Sequence, residues 1–165
     1  SILDDTLTIS KIEENRIQLK ISEFNVKYLI EDVINESSGI KKEGQRIDFN
    51  LVGGENIFSD KKLFKIIISN LLSNALKYSN ENVKIDVETT ENYILVKIED
   101  KGIGIPEKEQ GKLFERFFRA NNVTNIQGTG LGLNIVKGYV SMLHGKVLLE
   151  SKENEGTTVT FKILI

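Results

Sequence analysis

The sequence lacks cysteine altogether, and it has no apolar run long enough to cross a membrane. Without cysteine, disulfide bonds and thiolate metal sites are excluded, and the composition is compatible with a reducing cytosol. Apolar stretches such as residues 66–68 are far shorter than the roughly 20 residues that span a bilayer, and no signal-peptide pattern opens the chain. We therefore expect a cytoplasmic segment, and we expect any membrane anchor of the parent protein to lie outside it.

The sequence also lacks an excess of charge of one sign. Its 22 Lys and Arg residues nearly balance 24 Asp and Glu residues, and basic residues adjoin each other only at Lys41-Lys42 and Lys61-Lys62. Nucleic-acid-binding proteins usually carry a basic patch or stripe, so DNA and RNA are not expected partners. A length of 165 residues, with 39% apolar and 28% charged residues, predicts one soluble globular domain with a sizeable core.

The periodicity of apolar residues divides the chain near residue 21. Helical spacing over residues 1 to about 20 predicts an amphipathic helix, whose apolar stripe calls for a partner that this chain does not obviously supply. Alternation from Ile17 to Ile21 predicts a strand, and residues 26–34 return to helical spacing. We assign residues 1–21 to a helix end with its linker and residues 22–165 to a globular domain.

The rest of the chain mixes helices with hairpins. Strands are predicted over residues 47–51, 83–87, 94–98, 147–150 and 158–165, the last four forming two hairpins, and a strong helix is predicted over residues 60–78. Between the hairpins lies a glycine-bearing segment, residues 100–132, which contains the only proline. Long connections of this kind are usually functional loops or lids. The pattern predicts an α+β fold in the form of a two-layer sandwich.

One face of the predicted 60–78 helix changes from apolar to polar halfway along. Asn70, Asn74 and Lys77 continue the face that begins with apolar residues, because residues three and four apart share one side of a helix. The other sides are apolar, which predicts a buried helix. An unsatisfied buried amide costs about 1–3 kcal/mol. Two interpretations stay open: the amides bond to the backbone or lie at the surface, or they face a bound ligand or metal.

Two glycine-rich loops lie at the two ends of the segment between the hairpins. Asp100-Lys101-Gly102-Ile103-Gly104 places a carboxylate at the end of a predicted strand, where it can accept a hydrogen bond from an amino group; a simple turn is the alternative. Residues 128–133 precede a predicted helix, where backbone N–H groups and the helix dipole favour phosphate. A dinucleotide-binding motif would follow the first strand of the fold, so this late loop does not fit one.

In their order along the chain, these motifs resemble those of the catalytic domain of bacterial sensor histidine kinases, whose nucleotide fold is similar to that of DNA gyrase and the heat-shock chaperone ATPases. Residues 70–78 look like the N box, 100–104 the G1 box, 113–119 the F box and 128–133 the G2 box. The resemblance covers essentially the whole chain. It implies a mixed, mostly antiparallel sheet covered on one face by about three helices, with a flexible ATP lid.

The resemblance also implies a site for MgATP. Asn74, with Asn70, would hold Mg²⁺ between the phosphates, since amide oxygens suit this hard ion. Lys77 would contact phosphate, and Tyr78 would pack on the adenine or ribose through its ring. Asp100 would accept a hydrogen bond from the adenine amine.

Further roles are implied for the loops and the lid. Thr157 would support Asp100, and Arg119 would reach the γ-phosphate when the lid closes, which makes Asn70, Lys77 and Arg119 the expected catalytic residues. The remaining expected nucleotide contacts are Gly102, Gly104, Ile105, Gly128, Thr129, Gly130, Leu131 and Gly132. For Phe114, Phe117 and Phe118 we expect packing in the core or lid rather than ligand contact.

The implied reaction transfers the γ-phosphoryl group of ATP to a histidine on a separate dimerisation hairpin, as in two-component signal transduction. The acceptor motif is absent, and the sole histidine, His144, is expected to be structural or exposed. The opening residues look like the tail of the second hairpin helix. We therefore expect a homodimeric parent kinase and a response regulator as an indirect partner. For the fragment itself two states stay open: a monomer, or nonnative association through the opening residues. Lys146 stands where the family often has a second glycine, and little consequence for nucleotide binding is expected.

Three alternative functions have distinguishable signatures. An ATPase of the gyrase or chaperone type would activate water with a glutamate at the place of Asn70, and an amide is a poor base. A degenerate sensing or interaction module would not be expected to keep complete N, G1 and G2 boxes. A serine-directed kinase of the anti-sigma type would not be expected to begin with a hairpin helix. The motifs together favour the histidine kinase.

Overall fold

A five-stranded sheet forms the centre of the computed structural model, which describes residues 1–14, 16–123 and 125–165. In chain order the elements are α1 (Ile2–Glu13), β1 (Ile21–Asn25), α2 (Val26–Glu36), β2 (Ile47–Val52), β3 (Asn56–Asp60), α3 (Lys61–Tyr78), β4 (Val83–Thr89), β5 (Tyr93–Asp100), α4 (Glu107–Gln110), α5 (Gly132–Met142), β6 (Lys146–Lys152) and β7 (Gly156–Leu164). Short 3₁₀ turns cover Ser37–Gly39 and Asn121–Val123.

The central sheet has the strand order β2-β4-β5-β7-β6. β2 runs parallel to β4, and every other neighbouring pair is antiparallel. The two predicted hairpins are present as β4–β5 and β6–β7, and β1 pairs with β3 in a separate antiparallel sheet. The predicted mixed, mostly antiparallel sheet is therefore confirmed.

One face of the central sheet carries the core. In β5, Ile94, Val96 and Ile98 are at most 2% exposed, whereas the residues between them are partly exposed. This alternation follows because successive side chains of a strand point to opposite faces. α3 and α5 contact the sheet and α2 packs against α3, which confirms the predicted cover of about three helices. Asp100 is the next inward-facing position, so its carboxylate enters the core layer where the strand ends.

The helix predicted over residues 60–78 is α3. Asp60 is its N-cap: Oδ1 accepts from the Leu63 N–H at 3.0 Å and Oδ2 from the Lys20 N–H at 2.7 Å. As predicted, the helix buries residues on most of its sides, namely Leu63, Phe64, Ile67, Ile68, Leu71, Leu72, Ala75 and Leu76. In the described residues, no helix combines the length and apolarity that crossing a bilayer requires.

The first third of the chain departs from the prediction at three points. The strand expected over residues 17–21 begins only at Ile21, because its ladder with β3 starts where Ile21 lies opposite Asp60. β3 was not predicted, because it has only five residues and is followed directly by α3. The opening helix ends at Glu13 rather than near residue 20, and the part of that prediction that falls on residue 15 lies outside the described residues.

The opening helix finds a partner within this chain. Ile9 is 3% exposed, and a Cβ added to Gly138 of α5 would lie 3.0 Å from the Ile12 side chain, so α1 and α5 approach closely. This corrects the expectation that the apolar stripe of α1 lacks a partner here. The expectation still holds for Leu3 and Leu7 of α1, which are 74% and 55% exposed.

We expect Asp60→Ala to lower the free energy of unfolding by about 2 kcal/mol, because two backbone N–H groups lose their acceptor. Asp60→Asn should lose less, since its carbonyl oxygen still accepts from Leu63. Urea denaturation followed by circular dichroism measures both changes. Asp48→Asn, at an exposed position of β2, is the control and should stay within about 0.5 kcal/mol of the unaltered protein. If Asp60→Ala behaves like this control, the capping role is wrong.

Candidate functional site

A cavity of about 670 Å³ opens beside the end of β5, with walls from α3, β7, the start of α5 and the segment between β5 and α5. It brings together most of the residues that the sequence singled out: Asn70, Asn74, Lys77, Tyr78, Asp100, Gly104, Ile105, Arg119, Gly128, Thr129, Gly130, Gly132 and Thr157. Ligand pockets typically have volumes of about 300–1,000 Å³. The cavity is therefore the candidate functional site.

Two of the predicted contacts, Gly102 and Leu131, do not belong to the described lining of this cavity. Gly102 supports the site from behind: its N–H donates to Asp100 Oδ1 at 2.8 Å, and a Cβ there would lie 2.1 Å from the Tyr78 carbonyl oxygen. Leu131 is fully buried and anchors the loop before α5 in the core. The structure thus shows supporting positions for both residues, and their direct contact with a nucleotide stays a prediction.

The helix α3 presents three polar side chains to the cavity. Nδ2 of Asn70 donates to the Ile66 carbonyl at 2.9 Å, so the backbone-bonded interpretation holds for this nitrogen. Oδ1 of Asn70 faces the start of α5, since a Cβ on Gly132 would lie 2.8 Å from it. Asn74 and Lys77 line the same wall, and within the described residues their side chains form no hydrogen bond. One wall of the cavity therefore offers amide oxygens and an ammonium group.

Asp100 lines the cavity and is 7% exposed. Burial raises the pKa of its carboxyl group to about 6, although hydrogen bonds from the backbone N–H groups of Gly102 and Thr157 oppose the rise. Thr157 faces Asp100 across the β5–β7 ladder, and its hydroxyl lies 2.8 Å from that of Ser151. A carboxylate that two backbone donors do not fully stabilise can accept a further donor from a ligand.

The loop after β5 is wedged between α3 and the end of β6. The Ile103 N–H donates to the Tyr78 carbonyl at 3.1 Å. Gly104 has φ of 62°, and a Cβ there would lie 2.0 Å from the Lys152 carbonyl oxygen, so only glycine fits. Ile105 is held by the Ser151 hydroxyl, which accepts from its N–H at 2.9 Å. The main chain of residues 103–105 is thereby fixed along one edge of the cavity.

Arg119 lies in the segment between β5 and α5, here called the lid segment, and lines the cavity. Its Nη2 donates to the carbonyls of Val123, at 2.7 Å, and Ile126, while its Nε is buried without a partner in the described residues. A Cβ on Gly128 would lie 3.9 Å from this Nε and 3.5 Å from the Tyr78 hydroxyl. Burial raises the pKa of Tyr78, and the Arg119 charge opposes the rise. The Arg119 guanidinium therefore lies beside the glycine-rich loop, and its Nε remains available as a hydrogen-bond donor.

The loop before α5 approaches its neighbours as closely as glycine allows. Gly130 has φ of 72°, and a Cβ there would lie 2.8 Å from the Phe118 carbonyl oxygen. The Leu131 N–H turns back to the Thr129 hydroxyl at 3.3 Å. Because α5 begins at Gly132 on the cavity wall, the positive end of its dipole favours an anion there.

The three phenylalanines of the 113–119 segment behave differently. Phe118 lines the cavity, although only packing was expected of it. The ring centroid of Phe114 lies 5.7 Å from Lys137 Nζ in a cation–π contact. Phe117 is 60% exposed and has a positive φ of 60°. The expectation of packing thus fits Phe114 best.

Sequence reasoning missed two groups of lining residues. Ile98, Leu149 and Val159 form apolar walls, and the alternation that makes Ile98 inward-facing could have placed it next to Asp100. The second group is the first turn of α1, where Asp5 Oδ2 accepts from the Thr129 hydroxyl at 3.4 Å. Further along α1, Glu13 pairs with Arg116. No local signal could have revealed these contacts, because they depend on how α1 packs against α5.

The fold and the cavity define a nucleotide-binding domain of a known class. Residues 59–165 match the family described as histidine kinase-, DNA gyrase B-, and HSP90-like ATPase, and the chain belongs to this family. Among curated relatives, it is 31% identical over 98% of its length to sensor histidine kinase WalK of Bacillus subtilis (strain 168). It is 32% identical over 99% of its length to signal transduction histidine-protein kinase BarA of Escherichia coli (strain K12). The chain spans 28% of WalK and 19% of BarA.

Solved structures show the same fold. The histidine kinase AdeS of Acinetobacter baumannii has a TM-score of 0.82 at 24% identity, covering 98% of this chain and 76% of its own. Full-length ShkA in complex with AMPPNP has a TM-score of 0.86 at 21% identity, covering 98% and 35%. The nucleotide-free catalytic domain of histidine kinase ThkA has a TM-score of 0.73 at 28% identity, covering 88% and 95%. The predicted fold and family are confirmed.

Burial of Asp100 makes stability depend on pH. Because its pKa is about 6 in the fold, above the ordinary value of 3.8, the folded state binds more protons than the unfolded state between these values. This contribution is fully present below about pH 4 and is lost as pH rises to about 6, amounting to roughly 3 kcal/mol. Asp100→Asn lacks it, so the stability of the unaltered protein relative to this variant should fall over that range. Urea denaturation at several pH values measures the difference, and a pH-independent difference would contradict the raised pKa.

Proposed function

We propose that this chain is the ATP-binding catalytic domain of a sensor histidine kinase, which binds MgATP and supplies the γ-phosphoryl group to a histidine on a separate dimerisation hairpin. The observation that carries the proposal is the meeting, in one cavity, of the buried Asp100 with the polar face of α3 and the glycine-rich loop before α5. A buried acceptor together with cationic and backbone donors in one cavity matches the adenine amine and the phosphates of ATP. The relatives named as sensor histidine kinases support the same function.

The Asp100 end of the cavity suits adenine. The carboxylate would accept a hydrogen bond from the exocyclic amine, and the pKa of about 6 means that such a donor would stabilise its ionised form. Thr157 would support the carboxylate from the adjacent strand. Ile98 and Val159 supply apolar surface for the faces of the base, and the ring of Tyr78 would pack on the adenine or ribose.

The wall of the cavity at the start of α5 suits the phosphates. The backbone at Gly128, Thr129, Gly130 and Gly132 lies where α5 begins, so its N–H groups and the helix dipole would favour anionic oxygens. Lys77 would add a charge from α3, and Arg119 from the lid segment. The unpartnered Nε of Arg119 is a donor that a phosphate oxygen would satisfy.

The amide oxygens of Asn70 and Asn74 fit Mg²⁺. Asn70 commits its nitrogen to the Ile66 carbonyl, which leaves its oxygen as the group facing the cavity. Mg²⁺ prefers oxygen ligands and usually takes a few from protein together with phosphates and water. Bound there, the ion would neutralise charge on the β- and γ-phosphates.

The chain's own residues would catalyse mainly by placement and charge. In phosphoryl transfer a bond forms between the acceptor nitrogen and the γ-phosphorus as the bond to the bridging oxygen breaks, and ADP leaves. Lys77, Arg119 and the N–H groups before α5 would hold the phosphates for in-line attack and stabilise the spreading negative charge. His144 is exposed, with φ of 55°, just after α5, and it is not part of the described cavity lining. This position is consistent with an acceptor histidine that the hairpin would supply.

The wider assembly is part of the same proposal. Residues 1–21 would be the end of the second hairpin helix with its linker, and residues 22–165 the catalytic domain. The parent would be a homodimer whose cytoplasmic part includes this chain, in a membrane-anchored sensor that passes the phosphoryl group to a response regulator. The isolated fragment would be monomeric.

Mixing this chain with Mg²⁺, ATP and a separate hairpin that carries the acceptor histidine tests the proposal. We expect acid-labile, base-stable label on the hairpin, and none when EDTA removes the Mg²⁺. Steady phosphate release without transfer would favour a gyrase-type ATPase, and nucleotide binding with neither outcome would favour a sensing module. Either result would overturn the kinase proposal.

Asp100→Asn and Asn74→Ala test the two ends of the site separately. We expect Asp100→Asn to weaken binding of a nonhydrolysable ATP analogue at least tenfold, because a charge-assisted hydrogen bond contributes about 1.5–3 kcal/mol. Asn74→Ala should weaken binding only when Mg²⁺ is present. Isothermal titration calorimetry measures both, with the exposed substitution Asn50→Ala as the control. Unchanged affinity in both variants would contradict the assigned site.

A further inference from the structure

The helix α3 ends without a local cap. Its C-cap residue, Ser79, is extended, with φ of −122° and ψ of 153°, and no glycine follows it. By contrast, α5 ends with a bond inside its own chain segment, from the Gly145 N–H to the Val140 carbonyl at 2.9 Å. The last four carbonyls of any helix need outside partners, so the end of α3 depends on donors from elsewhere.

Two side chains from the turn before β2 supply these donors. Lys42 Nζ donates to the carbonyls of Lys77 at 2.9 Å and Ser79 at 2.6 Å. Gln45 Nε2 contacts the carbonyls of Leu76, Ser79 and Glu81 at 3.4, 3.2 and 3.0 Å. We call Lys42 and Gln45 the α3 clamp. The ammonium charge also complements the negative end of the helix dipole.

The α3 clamp is held in shape by its own hydrogen bonds. The Lys42 N–H donates to Gln45 Oε1 at 3.1 Å, and the Gln45 N–H donates to the Lys42 carbonyl at 3.0 Å. Gly44, with φ of 76°, turns the chain between them. Gln45 is 4% exposed, so its amide is committed to these partners. These bonds therefore orient the Gln45 amide and keep Lys42 and Gln45 on the same side of the turn.

The turn that the clamp holds carries two residues of the cavity. Lys77 and Tyr78 both line it, and the Tyr78 carbonyl also receives the Ile103 N–H of the loop that follows Asp100. A terminal helical turn frays when its carbonyls lack partners. Fraying here would release Lys77 and Tyr78 and loosen the loop behind Asp100.

We propose that Lys42 and Gln45 are positioning residues for nucleotide binding, acting through the final turn of α3 without touching the ligand. This inference rests on the proposed function, because it assumes that the cavity binds ATP. Lys42 is exposed and outside the core, so its loss should affect the site far more than the global fold. The chemistry at work is the capping of a helix end by an ordered cation.

Lys42→Met, which keeps the stem and removes the donors, should weaken binding of a nonhydrolysable ATP analogue with Mg²⁺ roughly tenfold, in keeping with the loss of charged hydrogen bonds. Lys42→Arg should restore most of the affinity, because it keeps a cationic donor. Lys41→Met is the matched control and should bind like the unaltered protein. Calorimetric titration measures all three, and Gln45→Met provides a second disruption of the α3 clamp.

Amide hydrogen exchange separates positioning from a general loss of stability. In Lys42→Met, exchange should accelerate over residues 75–79 and stay unchanged in β4, β5 and β7. Unchanged affinity, failure of Lys42→Arg to restore it, or faster exchange throughout the sheet would each overturn the inference. If the unaltered chain itself binds no analogue, the proposed function fails, and the exchange pattern still reports whether the clamp holds the turn.

Discussion

The position of α3 over the sheet depends on the packing of Phe64, whose ring makes two aromatic contacts. The ring of Phe64 meets that of Phe161 in β7 edge-on, with centroids 5.8 Å apart, and that of Phe24 in β1 at 5.9 Å. Phe161 shares its face of β7 with Val159 and Thr157, and Phe64 lies on the helix that continues to Asn70 and Lys77. The packing of these rings therefore helps to set how α3 lies relative to β7. The cavity lies further along the same two elements, where Asn70, Asn74 and Lys77 of α3 and Thr157 of β7 join apolar residues in its lining.

Some residues around that cavity have charged or hydrogen-bonding groups that the described contacts within the fold do not fully satisfy. Asp100 is buried, and its pKa is raised. The Nε of Arg119 has no partner in the described residues. Asn70 donates its side-chain nitrogen to the backbone, while its oxygen makes no such bond in the part of the chain that the structure describes. Groups of this kind reduce stability in the empty protein and gain partners when a ligand binds. An acceptor and several donors in one cavity are the groups that the proposed ligand, with an amine and an anionic part, would need.

Several parts of the site meet at the last turn of α3. Lys77 and Tyr78 face the cavity, the Tyr78 carbonyl receives the loop after β5, and the Lys77 carbonyl receives Lys42. Gly102 packs so closely on Tyr78 that a side chain could not fit. A helix end that is buried in this way transmits small shifts, because close-packed interiors deform little. Hydrogen bonds therefore connect the wall of the cavity to the turn before β2, about 35 residues earlier in the chain.

By itself, the sequence determined the elements whose periodicity is long and uninterrupted: α3, both hairpins, and the polar face of Asn70, Asn74 and Lys77. These depend on local spacing, which one strand or helix expresses without help from its neighbours. The tertiary structure alone decided that β3 pairs with β1, that α1 reaches the cavity through Asp5, and that Lys42 and Gln45 cap the C-terminal end of α3. Each of these contacts joins residues about 30 or more positions apart, and the donors and acceptors involved have no periodic signature. Which group meets which depends on how the layers pack.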